Sequence, residues 1–334
     1  MLSWYCICTI LRARLSIHRE MNSHQSCNGQ SSTNKSILIK SIKMSSKVQV
    51  TPIGPQLSLG EGPHWDEKTK TLYYVDIVES AIHRYVPHKN EHSHCKLKGK
   101  TVSFVVPVEG KEDSEFVVGL ERDVVHVVWD LKSNKPTATK VLCSAEEDRG
   151  RNRLNDGKVD PTGRLWAGTM LHLGEVDNYP FSSHLIAISN GLAWSPDHTK
   201  FYYIDSFKFK VQAYDYDKSS GTISNERTVF DFKANNVEGF PDGMTIDSEG
   251  KYGSLSTPVI RVDPDTGKLL YTLPIPSWEV TSVVFGGPNL ERTIRHECKP
   301  VQEQSERQIP QPGQTFKVTN LGVKGTPSVS IKLN

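Results

Sequence analysis

The chain has 334 residues, enough for one large domain or two ordinary ones, with 36% hydrophobic and 23% charged residues. A formal net charge of +2 gives no reason to expect nucleic acid or an acidic surface as a partner, and no apolar run approaches the roughly 18 residues that span a bilayer. Six cysteines without a CxxC pair argue against a disulfide framework and favour a reducing compartment, so we expect a cytoplasmic protein.

Residues 1–48 differ in composition from the rest of the chain. They are basic and rich in serine, and Glu20 is their only acid. Because such a segment buries little apolar surface, we predict a disordered extension that ends where strand-like sequence begins. An organelle transit peptide, a secretory signal and a translation start at Met44 are the alternatives.

Residues 49–334 show a β pattern. Short runs rich in Tyr, Val, Ile and Phe alternate with turn clusters, and no stretch keeps a 3.6-residue apolar period over three turns. The clearest runs are residues 72–76, 124–129, 201–205 and 259–263. Strands at this spacing without helices are typical of a sandwich, a barrel or a propeller.

An internal repeat separates these three options. Four segments begin with a polar residue, carry an apolar or aromatic residue four places later, and continue into a turn and a strand. Their polar lead residues are Glu61, Asn155, Asn190 and Asp242. The first two are 94 residues apart, which fits two units of about 47, and the last two are 52 apart. Since four short strands with their turns occupy roughly 40–50 residues, we interpret each unit as one blade of a β-propeller.

One spacing in the repeat is too short for a whole blade. Asn155 and Asn190 are only 35 residues apart, and residues 171–181 lack the strand expected there. We therefore predict a propeller in which one or more blades are incomplete.

The four lead residues are all oxygen donors. In a propeller, equivalent residues of successive blades face the same central channel. Two carboxylates and two amide oxygens form a hard, oxygen-only set that suits Ca²⁺, Mg²⁺ or Mn²⁺, with Zn²⁺ as a further option. The alternative is that all four are turn or bulge residues that cap strand ends through backbone hydrogen bonds. The repeat alone leaves both interpretations open.

Five motifs resemble those of the regucalcin/gluconolactonase (senescence marker protein) family, which includes an insect luciferin-regenerating enzyme. They lie at residues 59–65, 152–160, 167–170, 188–194 and 240–244. The resemblance covers about residues 48–290 and returns at 316–325. It implies an all-β, six-bladed propeller over residues 49–334, with one divalent cation on its axis.

The resemblance also implies a site and an activity. The family's metal ligands fall on Glu61, Asn190 and Asp242, and its substrate-binding residues fall on Arg153 and Asn155. The implied activity is metal-dependent hydrolysis of a sugar lactone. In it a divalent cation, Ca²⁺ ahead of Zn²⁺, Mn²⁺ or Mg²⁺, polarises the lactone carbonyl and activates water, while Asp242 acts as general base. A non-catalytic calcium-binding regulatory protein and an inactive relative are the alternatives.

Three tracts depart from the family pattern. The strand pair between residues 170 and 188 is mostly missing, which leaves Glu175 as a weak candidate for a substrate-facing glutamate. Residues 253–258 and 293–300 lack the expected strand sequence. We expect lost strands at these places, unpaired neighbouring edges and reduced stability.

Two segments that contain histidine receive structural interpretations. His92, His94 and Cys95 are metal-ligand residue types without an identifiable fourth partner, and we predict that they lie in a charged hairpin loop. His64 follows the lead residue Glu61 and precedes Trp65, so we predict a structural role for it.

Overall fold

The computed structural model describes residues 5–6, 48–99, 101–146, 152–171, 188–254, 258–276, 280–297 and 313–333. Within these ranges the regular structure is almost wholly β-strand, and the only helical element is a 3-10 helix at Ser206–Lys208. None of these ranges contains a helix long and apolar enough to cross a membrane.

The described strands pair into six sheets. Five sheets have four antiparallel strands each, and the sixth has three strands. The strand bounds are β1 Tyr5–Cys6, β2 Gln49–Ile53, β3 Gly60–Asp66, β4 Thr71–Asp76, β5 Ala81–Val86, β6 Glu91–Lys96, β7 Val102–Pro107, β8 Glu115–Leu120, β9 Asp123–Val128, β10 Ala138–Ser144, β11 Asn152–Val159, β12 Leu165–Leu171, β13 Ser189–Trp194, β14 Lys200–Asp205, β15 Lys210–Asp217, β16 Thr222–Asp231, β17 Met244–Ile246, β18 Tyr252–Ser254, β19 Val259–Asp263, β20 Lys268–Leu273, β21 Val280–Gly286, β22 Arg292–Glu297 and β23 Thr315–Thr319.

The four-stranded sheets are meanders of consecutive strands, with one exception that closes the fold. Four of them run β3 to β6, β7 to β10, β13 to β16 and β17 to β20. The fifth has the order β2-β23-β22-β21, in which Gln49 pairs with Thr319 and Ile53 with Thr315. The start and the end of the domain are therefore hydrogen-bonded in one sheet, which is how many propellers close.

The inner strands of the sheets form a closed ring. In the order β3, β7, β11, β13, β17 and β21, each strand packs against the next, and β21 packs against β3. This arrangement confirms the predicted propeller. Among the described residues five blades are complete, with four strands each, whereas the family resemblance implied six blades. The three-stranded sheet lies between β7 and β13 and consists of β11, β12 and β1, with β1 parallel to β12.

The three-stranded sheet lies where the repeat was too short. Residues 172–187, for which the sequence predicted missing strands, and Glu175 among them, lie outside the described residues. Residues 1–4 and 7–47 also lie outside them, so the predicted extension stays a prediction.

The other two predicted gaps, at 253–258 and 293–300, are wrong for the described parts of these tracts, while residues 255–257 and 298–300 lie outside the described residues. Arg292–Glu297 forms β22 in the middle of its sheet, between β21 and β23, although residues 293–300 look unlike a strand. Tyr252–Ser254 forms β18 between β17 and β19. Pairing with a strand on each side outweighs the weak intrinsic strand preference of these sequences.

The predicted hairpin loop at His92 is also wrong. His92, His94 and Cys95 belong to β6, the edge strand of the first blade. His92 Nε2 lies 3.0 Å from His83 Nδ1 on β5, and the buried Cys95 packs into the core. The polar sequence is compatible with a strand because its outer face borders solvent.

The apolar core lies between neighbouring sheets. Tyr73 and Val75 of β4 pack against Phe116 and Val118 of β8, and Trp129 fills the same layer. Each large apolar side chain buried in this way contributes about 1.5–3 kcal/mol. The sheets therefore stabilise one another in neighbouring pairs.

A second polar position of the repeat forms the turns. Asp66, Asp160 and Asp247 each follow a lead residue by five places. Asp66 accepts a hydrogen bond of 2.6 Å from Thr69 N, and Asp160 accepts one of 2.8 Å from Thr162 N. The turn of each of these three repeats is therefore held by this aspartate. The oxygen donors at the lead positions are not needed for that turn.

Candidate functional site

The lead residues lie at one end of the propeller axis, where the inner strands begin. Glu61 is the second residue of β3, Asn190 is the second of β13, and Asp242 comes just before β17. Four hydrogen bonds link these starts around the ring: Asn155 Nδ2 to Ser189 O (2.9 Å), Gly191 N to Asp242 O (3.2 Å), Gly243 N to Thr281 O (2.9 Å) and Thr281 Oγ1 to Gly60 O (2.6 Å).

A β-bulge lies at the lead residue of three inner strands. The pairing register shifts between Glu61 and His64, between Leu154 and Gly157, and between Ser189 and Leu192. A bulge turns a side chain out of the regular alternation of a strand, and bulges are common beside functional sites. Three of the four lead residues therefore lie at bulges, and two of these bulges bring the side chains of Asn155 and Asn190, on adjacent blades, together.

Glycines allow the inner strands to approach one another closely at this end. A Cβ at position 191 would lie 2.6 Å from Met244 Cβ and 2.9 Å from Asp242 O, and a Cβ at position 243 would lie 2.9 Å from Thr281 O. Only glycine fits at these two positions without a shift of the neighbouring strand. The glycine after each of two lead residues therefore allows β13, β17 and β21 to pack closely around the axis.

Asn190 is held by hydrogen bonds on both sides of its amide. Its Nδ2 donates to Ser206 Oγ at 2.8 Å, and its Oδ1 accepts from Asn155 Nδ2 at 2.7 Å. Ser206 in turn donates to Pro241 O at 2.6 Å, directly before Asp242. These bonds fix the amide so that its oxygen, which has a second lone pair, lies on the side of Asn155.

Arg153 is a buried cation beside the same residues. Its Nη1 donates to Asn155 Oδ1 at 2.9 Å and to Leu154 O at 2.8 Å. Burial lowers the pKa of Arg153, while the negative charges of Glu61, Glu121 and Asp242 act to raise it. The guanidinium therefore feels the charge of both candidate ligand carboxylates.

The donor set fits a hard divalent cation. Glu61 and Asp242 supply carboxylate oxygens and Asn190 supplies an amide oxygen, which are the ligands that Ca²⁺ and Mg²⁺ prefer. Within the described residues, no three His, Cys, Asp or Glu side chains are grouped so that they could hold a metal ion. The candidate set contains two such residues, and its third oxygen donor is the amide of Asn190.

The sequence of the propeller matches a family model along most of its length. The model describes the SMP-30/Gluconolactonase/LRE-like region and matches residues 59–293. The chain belongs to this family. Regucalcin of Xenopus laevis is 38% identical over 290 residues, which cover 80% of this chain and 92% of the frog protein. Human regucalcin is 35% identical over 286 residues, which cover 80% of this chain and 92% of that protein.

Solved structures of the family have the same fold. A luciferin-regenerating enzyme superimposes with a TM-score of 0.78 at 38% identity, covering 86% of this chain and all (100%) of that chain. A calcium-binding protein, regucalcin from Agrobacterium tumefaciens, superimposes with a TM-score of 0.71 at 23% identity, covering 84% of this chain and 95% of that one. The second likeness is evidence for the fold alone.

Hydrogen bonds connect four of the five residues that the family resemblance assigned to the site. Asn155 bonds to both Arg153 and Asn190, and the backbone of Asp242 bonds to the residue after Asn190. Ser206, which holds Asn190, was missed by sequence analysis. It lies on the connection after β14 and outside the repeat, so the only available signal was its position just after the Tyr-rich strand.

A cavity of about 380 Å³ lies further along the inner strands, lined by His64, Asp156 and Lys158 among others, and none of the five candidate site residues is among its lining residues. Lys158 Nζ donates to Leu192 O and to Met244 O, both at 3.0 Å, and so joins three inner strands. Burial raises the pKa of Asp156 to about 6 and lowers the pKa of His64 to about 3. The prediction of a structural role for His64 stays a prediction.

Proposed function

We propose that this protein hydrolyses a sugar lactone, of the gluconolactonase type, with one divalent cation held by Glu61, Asn190 and Asp242. The observation that carries the proposal is the Asn155–Asn190 hydrogen bond of 2.7 Å. It joins a candidate substrate-binding group to a candidate ligand, with the guanidinium of Arg153 next to both. A gluconolactonase from Xanthomonas campestris shares the fold, with a TM-score of 0.62 at 17% identity.

The residues take distinct roles in this proposal. Arg153 donates hydrogen bonds to oxygens of the lactone and orients its carbonyl. Asn155 Nδ2 already donates to Ser189 O and Asn190 Oδ1, so Asn155 binds the lactone by accepting a hydrogen bond from one of its hydroxyls through Oδ1. Asp242 accepts a proton from the attacking water. Water oxygen bonds to the carbonyl carbon, the ring C–O bond breaks, and the released ring oxygen takes a proton to give a hydroxy acid. When bound, the cation would polarise the carbonyl and lower the pKa of water. Ca²⁺ is the first candidate, with Zn²⁺, Mn²⁺ and Mg²⁺ after it.

A non-catalytic calcium-binding role is the second candidate. Arg153 Nη1 is bonded to Asn155 Oδ1 at 2.9 Å, so the two proposed substrate-binding groups partly satisfy each other. The Agrobacterium regucalcin is itself described as a calcium-binding protein. A pure binder would hold the cation and turn over no lactone.

Hydrolysis of δ-gluconolactone by the full chain, stripped of metal by a chelator and then supplied with each of the four cations, tests the proposal. Turnover that returns with a cation in the native protein and not in Asp242→Ala supports the enzyme. The matched control is Asp265→Ala. It removes an exposed carboxylate on the connection between β19 and β20, which pairs with Lys200 of the neighbouring sheet. Cation binding without turnover, by protein whose circular dichroism shows it folded, would instead support the binder.

A further inference from the structure

Three phenylalanines form an aromatic patch at the surface. Phe240 lies between the other two: its ring is 5.0 Å from the ring of Phe209 and 6.1 Å, edge-on, from the ring of Phe207. Phe207 is 37% exposed and Phe240 is 48% exposed. Single exposed apolar residues are ordinary on a protein surface, but mutually contacting aromatic rings that remain exposed often mark a binding site.

The aromatic patch lies on the same connections as residues that hold the candidate cation site. Phe207 directly follows Ser206, whose Oγ accepts a hydrogen bond from Asn190 Nδ2. Phe240 stands two residues before Asp242, and the intervening Pro241 accepts the hydrogen bond of Ser206. The same connections therefore carry the aromatic patch and position two of the three candidate ligands.

The patch is held in place by its surroundings. Asp205 caps the 3-10 helix by accepting a hydrogen bond from Phe207 N at 3.3 Å, and Ser206 N donates to Ile188 O at 3.1 Å. The ammonium of Lys233 lies 3.9 Å from the centre of the Phe209 ring, a cation–π contact. Rings fixed in this way lose little further freedom when a ligand packs on them.

Exposure of large apolar side chains is concentrated near this end of the propeller. In the described ranges four large hydrophobic residues are exposed: Val78, Val141, Phe207 and Phe240. Val78 lies on the connection between β4 and β5, at the end of the axis where the lead residues lie, and Val141 lies on β10, an edge strand. Of these four residues, Phe207 and Phe240 lie on the connections that hold the candidate ligands.

We propose that the site takes lactones with an apolar substituent, which packs on Phe207, Phe209 and Phe240 while the lactone carbonyl lies at the candidate cation site. This inference rests on the proposed lactone hydrolysis and specifies its substrate class. A fully hydroxylated sugar lactone would leave the patch partly in water, whereas an alkyl or aryl group covers it. The chemical step is the same addition of water and cleavage of the ring C–O bond.

Two lactones that share a ring test the inference. δ-Nonalactone is δ-valerolactone with a butyl chain, so the ratio of their kcat/KM values, each divided by the rate of hydroxide-catalysed hydrolysis, measures the contribution of the chain. We expect a ratio of roughly ten in the native protein, because the chain buries apolar surface on the rings. Phe240→Ala and Phe207→Ala should each lower the ratio roughly threefold or more.

Val141→Ala is the matched control, since it removes an exposed apolar side chain on another blade and should leave the ratio at its native value. A native ratio near one, or a ratio that the two phenylalanine variants do not change, would overturn the inference while leaving lactone hydrolysis intact. Failure to hydrolyse any of the lactones, including δ-gluconolactone with added cation, would overturn the proposed function and this inference with it.

Discussion

Asn155 Nδ2 donates a hydrogen bond of 2.7 Å to Asn190 Oδ1, so that side chains from two adjacent inner strands meet at the axis. The same Asn155 accepts a hydrogen bond from Arg153. One amide therefore couples the proposed lactone-binding group to the proposed cation ligand. This coupling sets the expectations for variants around it.

Asn155→Ala should weaken cation binding as well as turnover. Without the Asn155 amide, Asn190 loses one of the two hydrogen bonds that fix its own amide. Removing a group that orients a metal ligand typically lowers metal affinity by roughly tenfold to a hundredfold. Calorimetric titration of Ca²⁺ and the lactone assay measure the two effects. Asn225→Ala, which removes an exposed amide on β16, is the control and should change neither. Unchanged cation affinity in Asn155→Ala would show that Asn190 does not depend on it.

Ser206→Ala should act on the cation more than on the lactone. The hydroxyl bridges Asn190 Nδ2 and Pro241 O, and its loss frees the amide to rotate and leaves both groups without this partner. We expect Ca²⁺ affinity to fall roughly tenfold and stability to fall by about 1–3 kcal/mol. Excess Ca²⁺ should restore most of kcat. Ser219→Ala, at an exposed turn, is the control; a loss of kcat that no Ca²⁺ concentration repairs would contradict the positioning role.

Gly191→Ala should displace the strand that carries Asp242. The new Cβ would lie 2.9 Å from Asp242 O and 2.6 Å from Met244 Cβ, so β13 and β17 must separate. We expect destabilisation by roughly 1–3 kcal/mol, as in other overpacked interiors, and weaker cation binding. Urea unfolding and calorimetry provide the measurements. Gly253→Ala is a matched control because a Cβ there meets its nearest atom at 3.8 Å. Equal stability of the two variants would refute the close approach.

His64 should make the fold less stable in mild acid. Burial, followed by the charge of Lys158, lowers its pKa from 6.5 to about 3 in the folded state. Between those two values the unfolded chain binds more protons than the folded one, so this contribution to stability is complete above about pH 6.5 and is lost as the pH falls.

Urea unfolding of the native protein and of His64→Leu at about pH 7.5 and about pH 5 measures this contribution. The native protein should lose about 2 kcal/mol more than the variant over that interval. The raised pKa of Asp156 acts in the opposite direction, since its contribution is lost as the pH rises through about 6, but it is common to both proteins. His88→Leu, an exposed position, should retain the native pH dependence. An identical dependence in His64→Leu would contradict a buried neutral imidazole.

The grouping of the four lead residues at one end of the axis could be predicted because the fold repeats. Equivalent positions of successive blades lie at the same end of the axis, so Glu61, Asn155, Asn190 and Asp242 could be grouped from their spacing alone. Ser206 could not be found in this way, because it lies on a connection that packs back over the site. The aromatic patch was missed for the same reason, since Phe207 and Phe240 also lie on connections.

The errors in the fold have a common physical origin. The tract at residues 293–297 has weak strand preference, and its neighbours β21 and β23 make it a central strand. His92 and His94 were assigned to a loop because they are polar, yet they occupy an edge strand whose outer face meets water. In both cases pairing with adjacent strands decided the structure, and a local sequence pattern does not contain that information.

The most direct test of the proposed cation site is a titration of Ca²⁺ into chelated protein. Cation binding and lactone turnover are measured on the same samples. If Glu61, Asn190 and Asp242 hold the cation that activates the lactone, binding and turnover should saturate together at one cation per chain. Both should be lost in Asp242→Ala and kept in Asp265→Ala. Turnover that persists in chelated protein, or a binding isotherm that Asp242→Ala leaves unchanged, would contradict the account.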